Sequence, residues 1–413
     1  MEEGHVMPGV SAARAERLLV LCATAIQNQN APVVQQAVQA LQSISSIDGE
    51  PNERVTAYFL RALSIRAGGL LQGQLDEDPT GHLDHPHQVQ WGDRRLGFNE
   101  LTNLVDMTPY YRFGYMAANG AILEALEGVD RVHIIDFSTS HCMQWPTLID
   151  ALADRMGGPP HVRLTVASGS LPTPPRLQPT YEEVGHRLAL WAGEKKVPFE
   201  FRILSRPLER LRTKDIDLRD GESLAVNCSL RLHYLADESA GFVSEASSET
   251  IFSPRDKFLQ LIRGLNPTVV TLYEEDCNTT SVDLVTRLKE AYNHEWISFD
   301  YLATYSQNGS HGRLELERAV GQKIENIIAC ENFHRIERLE SKSQWAQRMQ
   351  RLNFRALPVS EDVVAALREM VGDYAVGWGM KLDEDDVQVL SWKGHSLAFA
   401  SSWVPYETPS KLA

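Results

Sequence analysis

The sequence predicts an α/β protein: a mostly parallel, Rossmann-like sheet that finishes in an antiparallel hairpin, capped by helices from the first hundred residues. Three observations lead there. Between residues 109 and 292, short apolar runs alternate with amphipathic helical stretches, the β-α-β-α order of a parallel sheet covered on both faces. The run Val132-His133-Ile134-Ile135 ends in Asp136, as the first strand of a nucleotide-binding α/β domain does. Near the C-terminus, residues 387–391 and 396–401 alternate around Lys393-Gly394, which reads as a hairpin.

Taken in order, residues 13–26 carry Leu18, Leu19, Cys22, Ala25 and Ile26 on one helical face. Residues 33–44 repeat that pattern through Val34, Ala37, Val38 and Leu41. A third helix opens after Pro51, uses Val55, Phe59, Leu60 and Leu63, and is expected to stop near Gly68-Gly69. No sustained heptads run through this block, so short helices packed on each other fit better than a coiled-coil seam. Residues 75–92 read as a polar loop; its His82, His85 and His87 have metal-ligand spacing but no regular element to hold them.

Residues 109–126 form a strong helix ending at Gly128, and the strand 132–135 follows. Then come a helix from Trp145 to about Met156, a strand at 162–167, a helix at 181–192 and a strand at 199–204. An arginine-bearing helix is expected around 208–211, then a strand at 223–227 leading into 230–235. Helix 255–264, strand 268–273 and helix 282–292 complete the alternation. A parallel sheet finished by an antiparallel hairpin is the layout of class I methyltransferases.

Composition sets limits. With 43% apolar and 23% charged residues, the chain is that of an ordinary globular protein rather than a disordered one. A formal net charge of −15 works against unaided binding to a polyanion. The five cysteines are far apart and odd in number, with no Cys-x-x-Cys pair, so neither a zinc site nor a disulfide framework is suggested and a reducing compartment fits. The acidic N-terminus has no secretory character, and no stretch is apolar enough to span a membrane.

In an open parallel sheet, ligands bind at the carboxyl ends of the strands. A nucleoside cofactor needs glycine backbone after the first strand, for close approach, and an acid after the second, for the ribose. Here Phe137, Ser138, Thr139, Ser140, His141, Cys142 and Met143 replace the first, and Ala167-Ser168 replaces the second. Losing both together argues against a dinucleotide or S-adenosylmethionine site.

Asp136, Asn227, Glu274 and Glu275 remain as the groups around which an unusual small-molecule pocket would be built. The run Glu274-Glu275-Asp276 reads better as a helix cap or solvated surface than as metal ligands. His133, inside a strand, reads as a satisfied core histidine. His141 beside Cys142 suggests a nucleophile pair, but adjacent residues seldom face each other and no orienting third group is evident.

Val132-His133-Ile134-Ile135-Asp136 resembles the VHIID signature of the GRAS family, plant transcriptional regulators that include scarecrow, short-root and DELLA proteins. Gln144-Trp145-Pro146-Thr147-Leu148-Ile149 is similar to the helix that follows it, and Val226-Asn227-Cys228 to a later segment. Leu390-Ser391-Trp392 and Ser401-Ser402-Trp403 resemble the C-terminal SAW region. The resemblance implies one domain over residues 12–405, with short tails at 1–11 and 406–413. Within it, 12–75 and 178–212 would be the leucine-rich regions, 97–162 the VHIID region, 222–326 the PFYRE region and 327–405 the SAW region.

The chain departs from the family pattern at Met143, at Ser402, at Leu339, and where Gln322-Lys323 and His294-Glu295 replace an arginine–glutamate and a tyrosine pair. Residues 138–144 look most like the short-root and scarecrow-like 32 branch. The resemblance implies a nuclear regulator with no catalytic residue, cofactor or metal. Its partners would be zinc-finger DNA-binding proteins and other GRAS proteins, in homo- or heterodimers, with DNA contacted mainly indirectly. A methyltransferase-like enzyme and a direct DNA binder are the competing readings. For the latter, Arg206, Arg210 and Arg212 form the candidate face, with Arg206 and Arg210 expected on one side of a helix. Glu209, Asp215 and Asp217 alternate with them, as on a solvated, salt-bridged surface.

Overall fold

Apolar runs without polar interruption are stable as strands only where both faces are covered, and the central sheet meets that condition. The computed structural model describes residues 9–72, 95–139, 142–168, 176–240, 252–305, 311–383 and 386–406. The segment read as one family domain holds two compact units. One comprises residues 1–92, 239–242 and 277–339; the other comprises 93–238, 243–276 and 340–413.

The helical unit contains α1 (Gly9–Gln27), α2 (Ala31–Gln42), α3 (Pro51–Gln72), α9 (Leu284–Tyr305) and α10 (His311–Ala329). Its core joins Leu19, Cys22 and Ile26 of α1, Val34 and Leu41 of α2, and Phe59 and Leu63 of α3. Leu288 and Tyr292 of α9 and Ile324 and Ile328 of α10 close it. Two expectations are corrected. Gly68 does not end the third helix, which runs on to Gln72; a helical glycine costs only about 1 kcal/mol, and tertiary packing covers that. The helix expected at 282–292 extends to Tyr305 and, with α10, belongs to this unit rather than to the sheet. Lys323 of α10 pairs with buried Glu295 of α9 at 2.8 Å, so two of the departures from the family pattern meet as a compensating ion pair.

The second unit is the α/β core. A short pair, β1 (Arg95–Leu96) with β4 (Arg176–Leu177), stands apart from the main sheet. The helices of this unit are α4 (Phe98–Met107), α5 (Pro109–Ala125), α6 (Trp145–Ala153), α7 (Tyr181–Glu194), α8 (Pro254–Gly264), α11 (Lys342–Arg351) and α12 (Glu361–Gly372). The parallel strands are β2 (Arg131–Asp136), β3 (His161–Ala167), β5 (Phe199–Leu204), β6 (Ser223–Ser229) and β7 (Val269–Glu275). After them come β8 (Phe354–Ala356), β9 (Trp378–Leu382), β10 (Gln388–Trp392) and β11 (His395–Pro405).

The sheet order is β5-β3-β2-β6-β7-β11-β10-β9, with β8 paired to β11. Strands β5 to β7 run parallel and β11 enters antiparallel between β7 and β10, the class I methyltransferase arrangement expected from the sequence. The β10–β11 hairpin turns at Lys393 and Gly394, both at positive φ. β9 then extends the antiparallel edge beyond the expected pair.

The central parallel strands alternate their side chains between two cores. Val132 and Ile134 pack with Trp145, Leu148 and Leu188 of α6 and α7. Ile135 and Val226 pack on the other face with Phe258 and Leu259 of α8 and Trp345 of α11. Gly114 brings α5 so close to the sheet that a Cβ there would meet the Tyr273 ring at 2.3 Å. Trp392 and Trp403 are fully buried; Trp392 meets Trp378 edge-on at 5.1 Å, and Trp403 donates its Nε1–H to Ser401 at 2.9 Å. All five cysteines are free thiols and buried. Among the described residues, no helix is long and apolar enough to cross a membrane. The loop carrying His82, His85 and His87 lies outside the described residues.

Candidate functional site

Strand β2 delivers Asp136 to the carboxyl edge of the sheet, beside Asn227 of β6 and below the start of α6. Pro146 stands in the first turn of α6, where its missing N–H leaves no helical bond unmade. The chain between β2 and α6 has no glycine turn of the kind that brings backbone N–H groups close to a phosphate. Its described residues meet one another through side chains instead.

Those side chains form one buried network. Asp136 Oδ1 accepts from the Ser138 backbone N–H at 2.9 Å and from Asn227 Nδ2 at 3.0 Å. Its Oδ2 accepts from Trp145 Nε1 at 2.8 Å. Asn227 Nδ2 also donates to Gln144 Oε1 at 3.1 Å, and its Oδ1 accepts from Thr271 at 2.8 Å. Gln144 Nε2 donates to Asn119 Oδ1 of α5 at 2.9 Å, and Asn119 Nδ2 returns to Thr147 at 3.1 Å.

Asp136, Gln144 and Asn227 are at most 1% exposed. Burial pushes the Asp136 carboxyl upward, while its bonds from Ser138, Asn227 and Trp145 pull it back. The donors and acceptors of both amides are matched within the chain, so the locus is filled rather than open.

Cys142 completes the turn at φ 66° and is buried, its thiol pushed up by burial. That is the opposite of an activated nucleophile. Ser140 and His141 lie outside the described residues, and so does the pairing of His141 with Cys142 that the sequence argued against.

The other expected site acids are equally engaged. Buried Glu274 accepts from the backbone N–H groups of Arg231 and Leu232 at 3.0 and 2.8 Å, and pairs with His233 Nδ1 at 2.5 Å. It thus holds the start of a 3-10 turn, as the capping interpretation expects. Glu275 accepts from the Tyr110 hydroxyl at 3.1 Å, and Asp276 pairs with Lys342 at 3.1 Å. The structure therefore brings Asp136 and Asn227 into contact but ties Glu274 and Glu275 to different neighbours.

His133 is the satisfied core histidine that was expected. Its Nε2 meets Thr165 Oγ1 at 2.9 Å and its Nδ1 meets Arg163 Nη2 at 3.0 Å, which requires an acceptor at Nδ1 and a neutral ring. Burial first, and then the Arg163 charge, lower its pKa to about 4. Arg163 is fixed in turn by Glu222 at 3.1 Å. A cavity of 320 Å³ opens beside His133, lined also by Gly221, Glu222, Ser223, Asn266 and Thr268. It sits at the amino-terminal edge of the strands, away from Asp136.

The arginine segment differs from expectation. Residues 208–210 and 213–215 form two separate 3-10 turns, because the backbone is extended at Leu211 and Arg212 between them, while Leu208, Leu211 and Ile216 are all drawn into the core. Arg206 and Arg210 therefore do not share a helix face. Asp215 instead gathers Arg206 at 3.0 Å and Arg212 at 3.5 Å, leaving Arg210 apart and exposed. Nearby, Arg202 and Arg219 pair with Glu200 at 2.6 and 2.8 Å, and Arg219 with Asp217 at 3.0 Å, the salt-bridged surface anticipated from the alternating charges. Arg219 holds Glu200 down to about 2.

Two contributors were not evident in the sequence. Asn119 is a polar residue inside the apolar face of α5, and Thr271 interrupts an apolar strand; such polar positions within buried stripes were the available signal. Asn119 and Thr271 supply the outer bonds of the Asp136 network.

Comparison with known proteins places this geometry. Residues 15–404 match the GRAS domain family. The chain is 42% identical over 401 residues to Scarecrow-like protein 32 of Arabidopsis thaliana, covering 94% of this chain and 93% of that protein. It is 32% identical to the Scarecrow-like transcription factor PAT1 of the same plant, over 93% of this chain and 75% of that protein. It is 30% identical to Protein SHORT-ROOT of Arabidopsis thaliana, over 95% of this chain and 73% of that protein. The crystal structure of SCL7 in Oryza sativa matches with a TM-score of 0.76 and 26% identity, covering 94% of this chain and 99% of that one. GRAS proteins are plant transcriptional regulators, not enzymes. With the family matched over residues 15–404, and with scarecrow-like and SHORT-ROOT proteins among its relatives, this chain belongs to the GRAS domain family.

Proposed function

We propose that this chain is a nuclear transcriptional regulator that works through protein contacts, with zinc-finger DNA-binding proteins and other GRAS proteins as its partners. DNA is then reached mainly through those partners. The observation that carries this reading is the filled carboxyl edge of the sheet. Where a methyltransferase-like fold would hold a nucleoside, Asp136, Asn227, Gln144 and Trp145 hold one another. A scaffold of this kind offers a rigid surface rather than a reaction centre.

The net charge of −15 supports indirect contact with DNA, because an acidic chain gains little from counterion release on phosphate. The relative whose name contains the words transcription factor supports the regulatory reading. Calorimetric titration with S-adenosylmethionine tests the first part. The expected result is no heat of binding at ligand concentrations up to about 100 μM, equivalent to roughly −5.5 kcal/mol. Saturable binding below that concentration would favour the enzyme or small-molecule reading. Direct binding to DNA through Arg206, Arg210 and Arg212 is the remaining alternative, and Arg210, exposed and outside the Asp215 cluster, is the residue that would carry it.

A further inference from the structure

The arginine segment presents one hydroxyl in a setting suited to a basic-directed protein kinase. Thr213 opens the second 3-10 turn and is exposed; its carbonyl accepts from the Ile216 N–H at 3.1 Å, while its hydroxyl makes no hydrogen bond to the described residues. Arg210 stands three positions before it, Arg212 one before, and Lys214 one after. The backbone leading to it is extended, with Leu211 at φ −68°, ψ 140° and Arg212 at φ −133°, ψ 155°. Buried Leu208, Leu211 and Ile216 pin this strip to the surface without covering the hydroxyl. An extended strip with guanidinium groups upstream of a free hydroxyl complements an acidic substrate cleft.

The local charge balance gives the modification a consequence. Arg206, Arg210, Arg212 and Lys214 face only Glu209 and Asp215 within the segment, and both Arg206 and Arg212 draw on the single Asp215 carboxylate. A phosphothreonine carries a charge of about −1.5 to −2 and three strong acceptor oxygens, enough to cancel that excess.

We propose that Thr213 is a phosphoacceptor for an arginine-directed serine/threonine kinase, and that its phosphate switches off the basic character of this face. In the transfer, Thr213 Oγ1 attacks the γ-phosphorus of ATP, the bond to the β-bridging oxygen breaks, and ADP leaves. The hydroxyl proton passes to the base of the kinase. The acceptor role stands on the geometry of the segment alone; the switch rests on the reading of the arginine face as a partner or polyanion surface.

The test uses the full chain, magnesium, ATP and the catalytic subunit of an arginine-directed kinase. Cleavage after Glu209 and Glu222 releases residues 210–222, in which Thr213 is the only hydroxyl residue. Phosphate on that peptide is expected, lost in Thr213→Ala. Arg210→Ala should slow its appearance about tenfold, the loss of one charge pair in the cleft. An unmodified 210–222 peptide, or a rate indifferent to Arg210→Ala, would overturn the acceptor. Retention on a heparin column then tests the switch: the phosphorylated chain should elute at lower salt. Unchanged retention of a chain phosphorylated at Thr213 would uphold the acceptor and overturn the switch.

Discussion

Substituting Asp136→Asn removes one acceptor from the centre of the buried network and inserts two N–H donors. If the new amide oxygen keeps the bonds from Ser138 and Asn227, its NH₂ points at Trp145 Nε1, and two donors face each other where 2.8 Å now separates donor from acceptor. Losing a hydrogen bond to a charged acceptor costs about 1.5–3 kcal/mol, and leaving a donor unsatisfied adds about 1–3 kcal/mol. Relief of the buried charge offsets part of this, since burial already works against the ionised form. The net expected loss is about 2 kcal/mol.

Trp145→Phe keeps an aromatic ring but deletes the donor and part of the buried indole, with an expected loss of about 2–3 kcal/mol from the bond and the cavity together. In the double variant the facing donors disappear, so the two losses should fall short of additive by about 1 kcal/mol. Urea unfolding followed by far-ultraviolet circular dichroism, with unchanged slope, measures all three proteins. Additivity within about 0.3 kcal/mol, or an Asp136→Asn loss below about 0.5 kcal/mol, would refute the carboxylate as the anchor of this edge.

Other consequences are as specific. Trp145→Ala removes both the donor and a fully buried ring, so its melting midpoint should fall further than that of Asp136→Asn, for a loss of about 3 kcal/mol or more. His133 has a folded pKa of about 4 against an ordinary value of 6.5, so the unfolded chain binds the extra proton between those values. Its stability contribution is complete above pH 6.5 and is lost as pH falls towards 4, at most roughly 3 kcal/mol; the difference in unfolding free energy between the parent and His133→Gln should shrink across that window. Arg348 ties Asp256, Glu238 and Glu340 together in the second unit, so Arg348→Met should destabilise by about 3–5 kcal/mol in thermal melts, because it strands buried carboxylates. Gly114→Ala forces a Cβ into the Tyr273 ring and should lower the melting temperature even though alanine is the better helix former.

The core strands were legible because each is a continuous apolar run between helices of different period, and the hairpin because Lys393-Gly394 is a turn pair. The loss of the glycine turn and of the ribose acid was legible as well, since both are required at fixed places in the chain. What filled the site was not. Gln144 meets Asn119 twenty-five residues earlier, and Asn227 meets Thr271 forty-four residues later; neither separation follows a helical or strand period. The assignment of α9 and α10 to the helical unit escaped for the same reason, because local periodicity gives a helix's buried face but not its neighbours. The arginine segment misled through its composition: leucines at 208 and 211, with Ile216, match a helical spacing, yet extended backbone at Leu211 and Arg212 divides the segment into two 3-10 turns.

The most direct test of regulation through protein contacts is a gel-shift titration at about 150 mM salt, with and without a zinc-finger partner captured by this chain from plant nuclear extract. The chain alone should bind DNA only weakly and without sequence preference, as its acidic charge requires. With the partner present, a supershifted complex should form whose base specificity is that of the fingers and whose affinity is raised by the added contacts. Sub-micromolar, sequence-selective binding by the chain alone, lost on replacing Arg206, Arg210 and Arg212, would contradict this mode of action.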